Sequence, residues 1–343
     1  MAGQVCFWFI HSAALTPRQN HQDRGYHAQK LSLSRAPSDN GLMFTSSLTW
    51  LPEEQWLASA AAHQVRAKRF GEPFTERRMK RQKHPIDDFL FTYYTQKPGQ
   101  LYRWHPGPGV VLGGQAAQER ETWKFYREVI HPLTGERGFT VDLESFAQAR
   151  TEAVTFANII LTGTATRAAN FACFGLHEWA MAYKSGDNGI RHEYLPLRLG
   201  AAGTDAVVEE SKIRCTHFDA FRFYTPEAIP LNELTPTRET QRDLEQPGCL
   251  HANMDLYKWA YKLTPAVPSE LVMDCFELAW DIRTMDMQAS PYDLADWGQE
   301  PIRIETPAGK AEYVRLQKKF AERAELLRQR LLNVAQSVPV AQT

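Results

Sequence analysis

Residues 248–263 read GCLHANMDLYKWAYKL, and this stretch decides the fold class. Met254, Leu256, Tyr257, Trp259, Tyr261 and Leu263 occupy most of a helical circumference. His251, Asp255, Lys258 and Lys262 recur at spacings of four, three and four, which confines them to a stripe roughly 60° wide. A helix that is apolar nearly all round belongs in the interior of a helical protein. Its thin charged stripe either faces bulk water or lines a wet slot. A solvent face is usually wider and is not bordered by aromatics, whereas here Trp259 flanks one edge and Met254 with Tyr261 the other.

Further helices are expected on both sides of this one. Residues 268–288 and 307–334 carry helical periodicity, the latter amphipathic and rich in Arg, Lys, Glu and Leu. Upstream, 52–70 opens with Pro and two Glu in its first turn. Helices are also expected over 118–130, 142–162 and 168–184, and one aromatic-rich helix within 84–104. Residues 105–114, HPGPGVVLGG, read as a rigid loop, and 302–305 as a short extended piece. Helical signals dominate, so the expected class is mainly α: a single large helical domain over 43–334, with a few short strands.

Residues 1–42 are rich in Ser, Gln, His and Arg and nearly free of acids. They read as a disordered tail, a transit segment or the product of a start assigned upstream of Met43. Residues 335–343 read as a disordered tail. The chain of 343 residues is long enough to bury a large core, and its net charge of −1 excludes a globally basic nucleic-acid binder. Any such partner must be met by a local patch, and the cluster of Arg and Lys over 66–83 is the candidate. Five scattered cysteines without a CxxC pair fit reduced thiols and a cytoplasmic location, or organelle import if 1–42 is a transit segment. No apolar run of about 18 residues exists, so no membrane partner is expected.

Phosphate-loop, dinucleotide, HExxH and GxSxG patterns are absent, which argues against those enzyme classes. What remains is a constellation. Eight of the eleven histidines lie between His63 and His251. In 170–183, NFACFGLHEWAMAY, the pair His177 and Glu178 interrupts an apolar segment. A buried Glu178 demands an Arg or Tyr partner, and Asn170 and Cys173 fall on roughly the His177 face. In 213–223, IRCTHFDAFRF, an extended start puts Cys215, His217 and Asp219 on one face. Asp219 is equally suited to cap a following turn. His251 and Asp255 are helical neighbours able to share a proton or a metal, with Lys258 as electrostatic partner. Asp274, Asp281, Arg283 and Asp286 suit ion pairs that lock helices together, with Arg222 or Arg283 as expected partners of the first two.

Several strings carry a family resemblance: HPIDDFLFTYYTQKPGQLYRWHPGPGVVL, FACFGLHEWAMAY, RCTHFDAFRF, PTRETQRDLEQPGCLHANMDLYKWAYKL and DIRTMDMQASPYDL. Over roughly 43–330 the chain resembles an uncharacterised, mainly bacterial family labelled 3-methyladenine DNA glycosylase. The resemblance implies hydrolysis of an N-glycosidic bond on an alkylated or modified purine, with alkylated DNA or a modified nucleoside as partner. Such a reaction needs a carboxylate to stabilise a cationic sugar or activate water, and aromatic faces to hold the base. Asp255 is the first candidate and Asp219 the second, with His177, Glu178, His217 and His251 as polar site residues. Trp179, Tyr257 and Trp259 would be walls, and Lys258, Arg222 and Cys215 would contact substrate. The cofactor is left unassigned, and this reading assigns no metal ligand. HPGPG at 105–109 imitates a helix-hairpin-helix turn, but Gly113 and Gly114 interrupt the helix that should follow.

Two other classes stay open. His177, His217 and His251, with Asp219 or Asp255, could form a His/carboxylate metal site in a helical enzyme acting on a small molecule. That reading predicts bound iron, manganese or zinc. Alternatively the polar residues only pin helices in a non-enzymatic binding protein.

Overall fold

The computed structural model describes residues 48–190 and 192–340; the expectations for 1–42 and for Met43 lie outside the described residues. The chain is mainly α-helical with one small sheet. After β1 (Thr49–Leu51) come α1 (Glu53–Met79), α2 (Phe89–Tyr93) and α3 (Pro98–Leu101). β2 (Val110–Gly113), a 3₁₀ turn (Gln115–Thr122), β3 (Tyr126–Ile130) and β4 (Arg137–Val141) follow. The helices then run α4 (Leu143–Thr166), α5 (Leu176–Ala180), α6 (Ser185–Asn188), α7 (Gly200–Glu209), α8 (Phe218–Phe221) and α9 (Gln241–Leu244). Three long helices close the chain: α10 (Leu250–Lys262), α11 (Ser269–Gln288) and α12 (Pro307–Ser337).

α10 is the axis of the bundle. It packs on α11, α12 and α4, and every residue from Leu250 to Tyr257 is buried. Helices on several sides remove the need for a polar face, so the all-round apolar sequence is what this position requires. α12 starts at Pro307 behind Thr306, whose hydroxyl accepts from the Gly309 N–H at 3.1 Å. Asp142 caps α4 in the same way, accepting from the Ser145 N–H at 3.1 Å. Ion pairs lock the helices, as expected, but with other partners. Asp274 meets Arg66 at 2.8 Å and Arg330 at 2.7 Å, and Asp281 meets Arg323.

The sheet has the order β1-β2-β4-β3, with β1 and β2 parallel and the other pairs antiparallel. Trp56 of α1 packs on Trp104, Leu112 and Phe139 and donates its indole N–H to the Gly113 carbonyl at 2.9 Å. Here the sequence expectations fail. Residues 118–130 are not one helix: YREVI at 126–130 pairs with β4, because its β-branched and aromatic side chains suit a pleated surface better than a helix. The loop expected over 105–114 ends in strand β2 (Val110–Gly113), so the hairpin-like glycines lead into a sheet and no following helix forms. No strand forms over 302–305.

The helix expected over 168–184 is also corrected. α4 ends at Thr166, and only Leu176–Ala180 is helical. The intervening backbone is spent on tertiary hydrogen bonds. The Arg167 guanidinium donates to the Glu245 carbonyl at 2.8 Å, and the Gln246 amide brackets Asn170 through contacts of 2.7 and 3.1 Å. Phe174 and Gly175 then take positive φ of 50° and 71°. A Cβ on Gly175 would lie 3.2 Å from the Tyr313 ring, so both the backbone conformation and the packing call for glycine there. Asn170 is thereby diverted from the His177 face, while Cys173 stays beside His177.

Candidate metal centre

Four segments bring three histidines together in the bundle. α5 supplies His177, the extended residue before α8 supplies His217, α10 supplies His251, and α11 supplies Asp286 opposite them. The His251 ring lies edge-on to His177, centroids 4.5 Å apart, and at 5.4 Å from His217. Exposure is 2% at His177, 0% at His217 and 8% at His251, so the cluster is interior.

Two sets of ligand-type atoms converge within this volume. In the first, His177, His251 and Asp286 each offer one atom within 4.8 Å of the others. His177 Nε2 lies 3.1 Å from Asp286 Oδ1, and its Nδ1 is 3.5 Å from the Cys173 sulfur. In the second, His217 Nε2 lies 3.2 Å from Glu245 Oε1 and 3.4 Å from Asp255 Oδ2. Neither ring nitrogen of His217, nor Asp286 Oδ1, has a partner of hydrogen-bond geometry. His177 Nε2 contacts the other Asp286 oxygen, Oδ2, at 3.2 Å, which leaves Oδ1 as the Asp286 oxygen open to a further partner. Ligands about 2.1 Å from an ion, at angles of about 90–110°, stand about 3.0–3.4 Å apart, which the His177–Asp286 separation of 3.1 Å matches, with His251 within 4.8 Å of both.

Charged groups surround both sets. Arg283 reaches Glu178 at 2.7 Å and Asp286 at 3.7 Å, with its guanidinium 4.0 Å from the Phe89 ring centre. Glu178 thus has the arginine partner that its burial demands. Lys258 is hydrogen-bonded to Asp255 and lies 3.5 Å from Asp219. The Tyr94 hydroxyl donates to the other Asp255 oxygen at 2.9 Å.

These contacts set the protonation. Burial opposes charge on His177, but Asp286 outweighs it and holds the ring well above the ordinary histidine value. Burial likewise opposes charge on His217, yet Glu245 and Asp255 push it up to about 9. His251 goes the other way: burial, then its two histidine neighbours, hold it well below its ordinary value, so it is a neutral ring with a free lone pair. Burial would raise Asp255, but Lys258 and His217 hold it ionised.

The sequence-based candidates divide accordingly. His177, His217, His251 and Asp255 meet in the cluster, with Lys258 and Glu178 beside it. Asp219 is at the rim, bound to Arg222 at 3.0 Å; it lies within the first turn of α8, whose cap is His217. Arg222 has a side chain 44% exposed and points outward. Cys215 is buried below the cluster, its sulfur 3.6 Å from the His217 carbonyl. Trp179 is a fully buried core residue donating to the Ala289 carbonyl at 2.8 Å, which corrects its expected place on a slot wall. Trp259 is likewise 5% exposed and packs edge-on against Phe156. Tyr257 is buried between Tyr94 and Phe276. Sequence reasoning missed Glu245 and Tyr94, because a carboxylate in a turn and one tyrosine among many aromatics carry no periodic signal. Asp286 was read only as an ion-pair residue.

Compared with protein-family models, curated proteins and solved structures, the chain matches none. Among the described residues no helix is long and apolar enough to cross a membrane.

Proposed function

We propose that the protein is a metalloenzyme acting on a small molecule, with a divalent ion held by His177, His251 and Asp286. The observation that carries this reading is the buried convergence of neutral His251 with His177 and an Asp286 oxygen that lacks hydrogen-bond geometry. His217, Glu245 and Asp255 form the adjoining position, where Lys258 already supplies positive charge to Asp255. Nitrogen and carboxylate ligands without thiolate suit zinc, manganese or iron. Such an ion would polarise a substrate oxygen or lower the pKa of a bound water. Burial of the three histidines, none more than 8% exposed, supports a small substrate over a duplex lying on the surface.

The test is metal content. Elemental analysis of the purified full chain, and of stripped protein reloaded with zinc, manganese or iron(II), should find about one ion per chain. Asp286→Asn and His251→Gln should abolish it, while His105→Gln, a histidine bonded to Tyr126 elsewhere, should not. Stripped protein that takes up none of these ions, or variants that bind as well as the parent, would refute the assignment.

A second reading, N-glycosidic hydrolysis on an alkylated purine, is favoured by one observation: Asp255 is held ionised beside Tyr94 and Tyr257. An ionised carboxylate among aromatics suits a cationic transition state. Release of 3-methyladenine from alkylated DNA or nucleosides by chelator-treated protein, lost in Asp255→Asn, would support it. No release would remove it.

A further inference from the structure

A cavity of about 600 Å3 lies away from the histidine cluster, between the 3₁₀ turn before β3, the kinked part of α4 and the end of α10. Arg103, Lys124 and Arg150 line it, with Gln96, Gln100 and Thr122 as neutral donors and Trp123 and Tyr261 as aromatic surface. No carboxylate lines it. None of the three cations has an ion-pair partner among the described residues; Arg103 and Lys124 only lie against the rings of Trp123 and Phe125. His105, also in the lining, is held neutral: burial and then Arg120 push it down to about 3.

Two backbone irregularities fall on the same wall. Phe125 has φ of +65°, a left-handed conformation that bulky residues avoid at a cost of order 1–3 kcal/mol. Arg150 sits at φ −128° and ψ 15°, a break in the middle of α4. Each irregular residue is itself part of the lining. Phe125 thus keeps a costly conformation on a wall that Arg103, Lys124 and Arg150 also line.

We propose that this cavity binds a small phosphate monoester carrying an aromatic ring. Three cations and three neutral donors suit the oxygens of a dianionic phosphate, and charge-assisted hydrogen bonds would hold it. Trp123 and Tyr261 supply the surface for a flat ring. The volume lies within the range of about 300–1,000 Å3 typical of small-ligand sites. A second cavity, lined by Arg78, Arg81 and Lys83, is the natural comparison, but it also contains Asp88. The proposal is independent of the metal centre.

The test is calorimetric titration of the full chain, stripped of metal and kept in chelator, with phenyl phosphate, inorganic phosphate, benzoate and phenol. Phenyl phosphate should bind saturably at one site and more tightly than the other three. Lys124→Ala and Arg150→Ala should each weaken it about tenfold. Arg78→Ala should leave it unchanged. Trp123→Leu should weaken phenyl phosphate and leave inorganic phosphate unaffected. No saturable binding of phenyl phosphate would overturn the proposal. So would equal losses in Arg78→Ala and Arg150→Ala, which would mean general attraction to positive charge. Benzoate binding as tightly as phenyl phosphate would overturn the choice of a phosphate.

Discussion

His177 and His217 hold protons in the native state, and a metal ion would compete for the first of them; both effects should be visible as a pH dependence of stability. In metal-stripped protein His217 titrates at about 9, against about 6.5 for an unfolded histidine. A raised pKa means that the native state holds a proton the unfolded chain has released. The stabilisation is therefore complete below pH 6.5, declines as pH rises, and is gone above pH 9. A shift of this size corresponds to about 3 kcal/mol, with a limiting slope near 1.4 kcal/mol per pH unit. His177 is raised as well and steepens the decline, while His251, held low, makes stability fall again below pH 6.5. Urea unfolding at pH 5 to 10 should thus give a maximum near pH 6.5 for stripped protein. Metal-loaded protein has already lost the His177 proton, so its alkaline decline should be shallower, with only the His217 part remaining, and loading at pH 7 should release a proton into weakly buffered solution. Stripped and loaded proteins with the same alkaline slope would refute the role of His177 as both proton holder and metal ligand.

Three further outcomes follow from single contacts. Asp255→Asn leaves the half-buried Lys258 with only Asp219, at 3.5 Å, and should cost about 2–4 kcal/mol in urea unfolding, much of it recovered in Asp255→Asn/Lys258→Met; no recovery would mean that Tyr94 and His217 are the important partners. Trp179→Phe removes the indole donor to Ala289 and should cost about 1–3 kcal/mol, with no change in metal content. Arg66→Ala breaks pairs to Asp274 and Glu277 whose side chains are 25–32% exposed, so solvent screening should hold the loss to about 1 kcal/mol or less; a loss of several kcal/mol would mean that the pairs behave as buried ones.

The sequence by itself determined the helical class and marked 248–263 as a helix apolar round most of its circumference. The repeat in 248–263 is local, and a helix reports its own surroundings through how much of its circumference is apolar. The same reasoning located His177, His217, His251 and Asp255, because charged residues inside apolar runs stand out without any knowledge of neighbours. It also required an arginine or tyrosine for Glu178, although not which one. Tertiary structure alone decided the rest. The segment 167–175 leaves the helix because Arg167 and Gln246 bind it to distant backbone, and 126–130 becomes a strand because β4 lies beside it. Glu245, Tyr94 and Asp286 join the cluster from 28 to 161 residues away in sequence from the groups they meet, and no local pattern encodes such meetings. Protonation is decided last: three chemically identical histidines diverge because Asp286 faces one, Glu245 and Asp255 face another, and His251 has two cationic rings for neighbours.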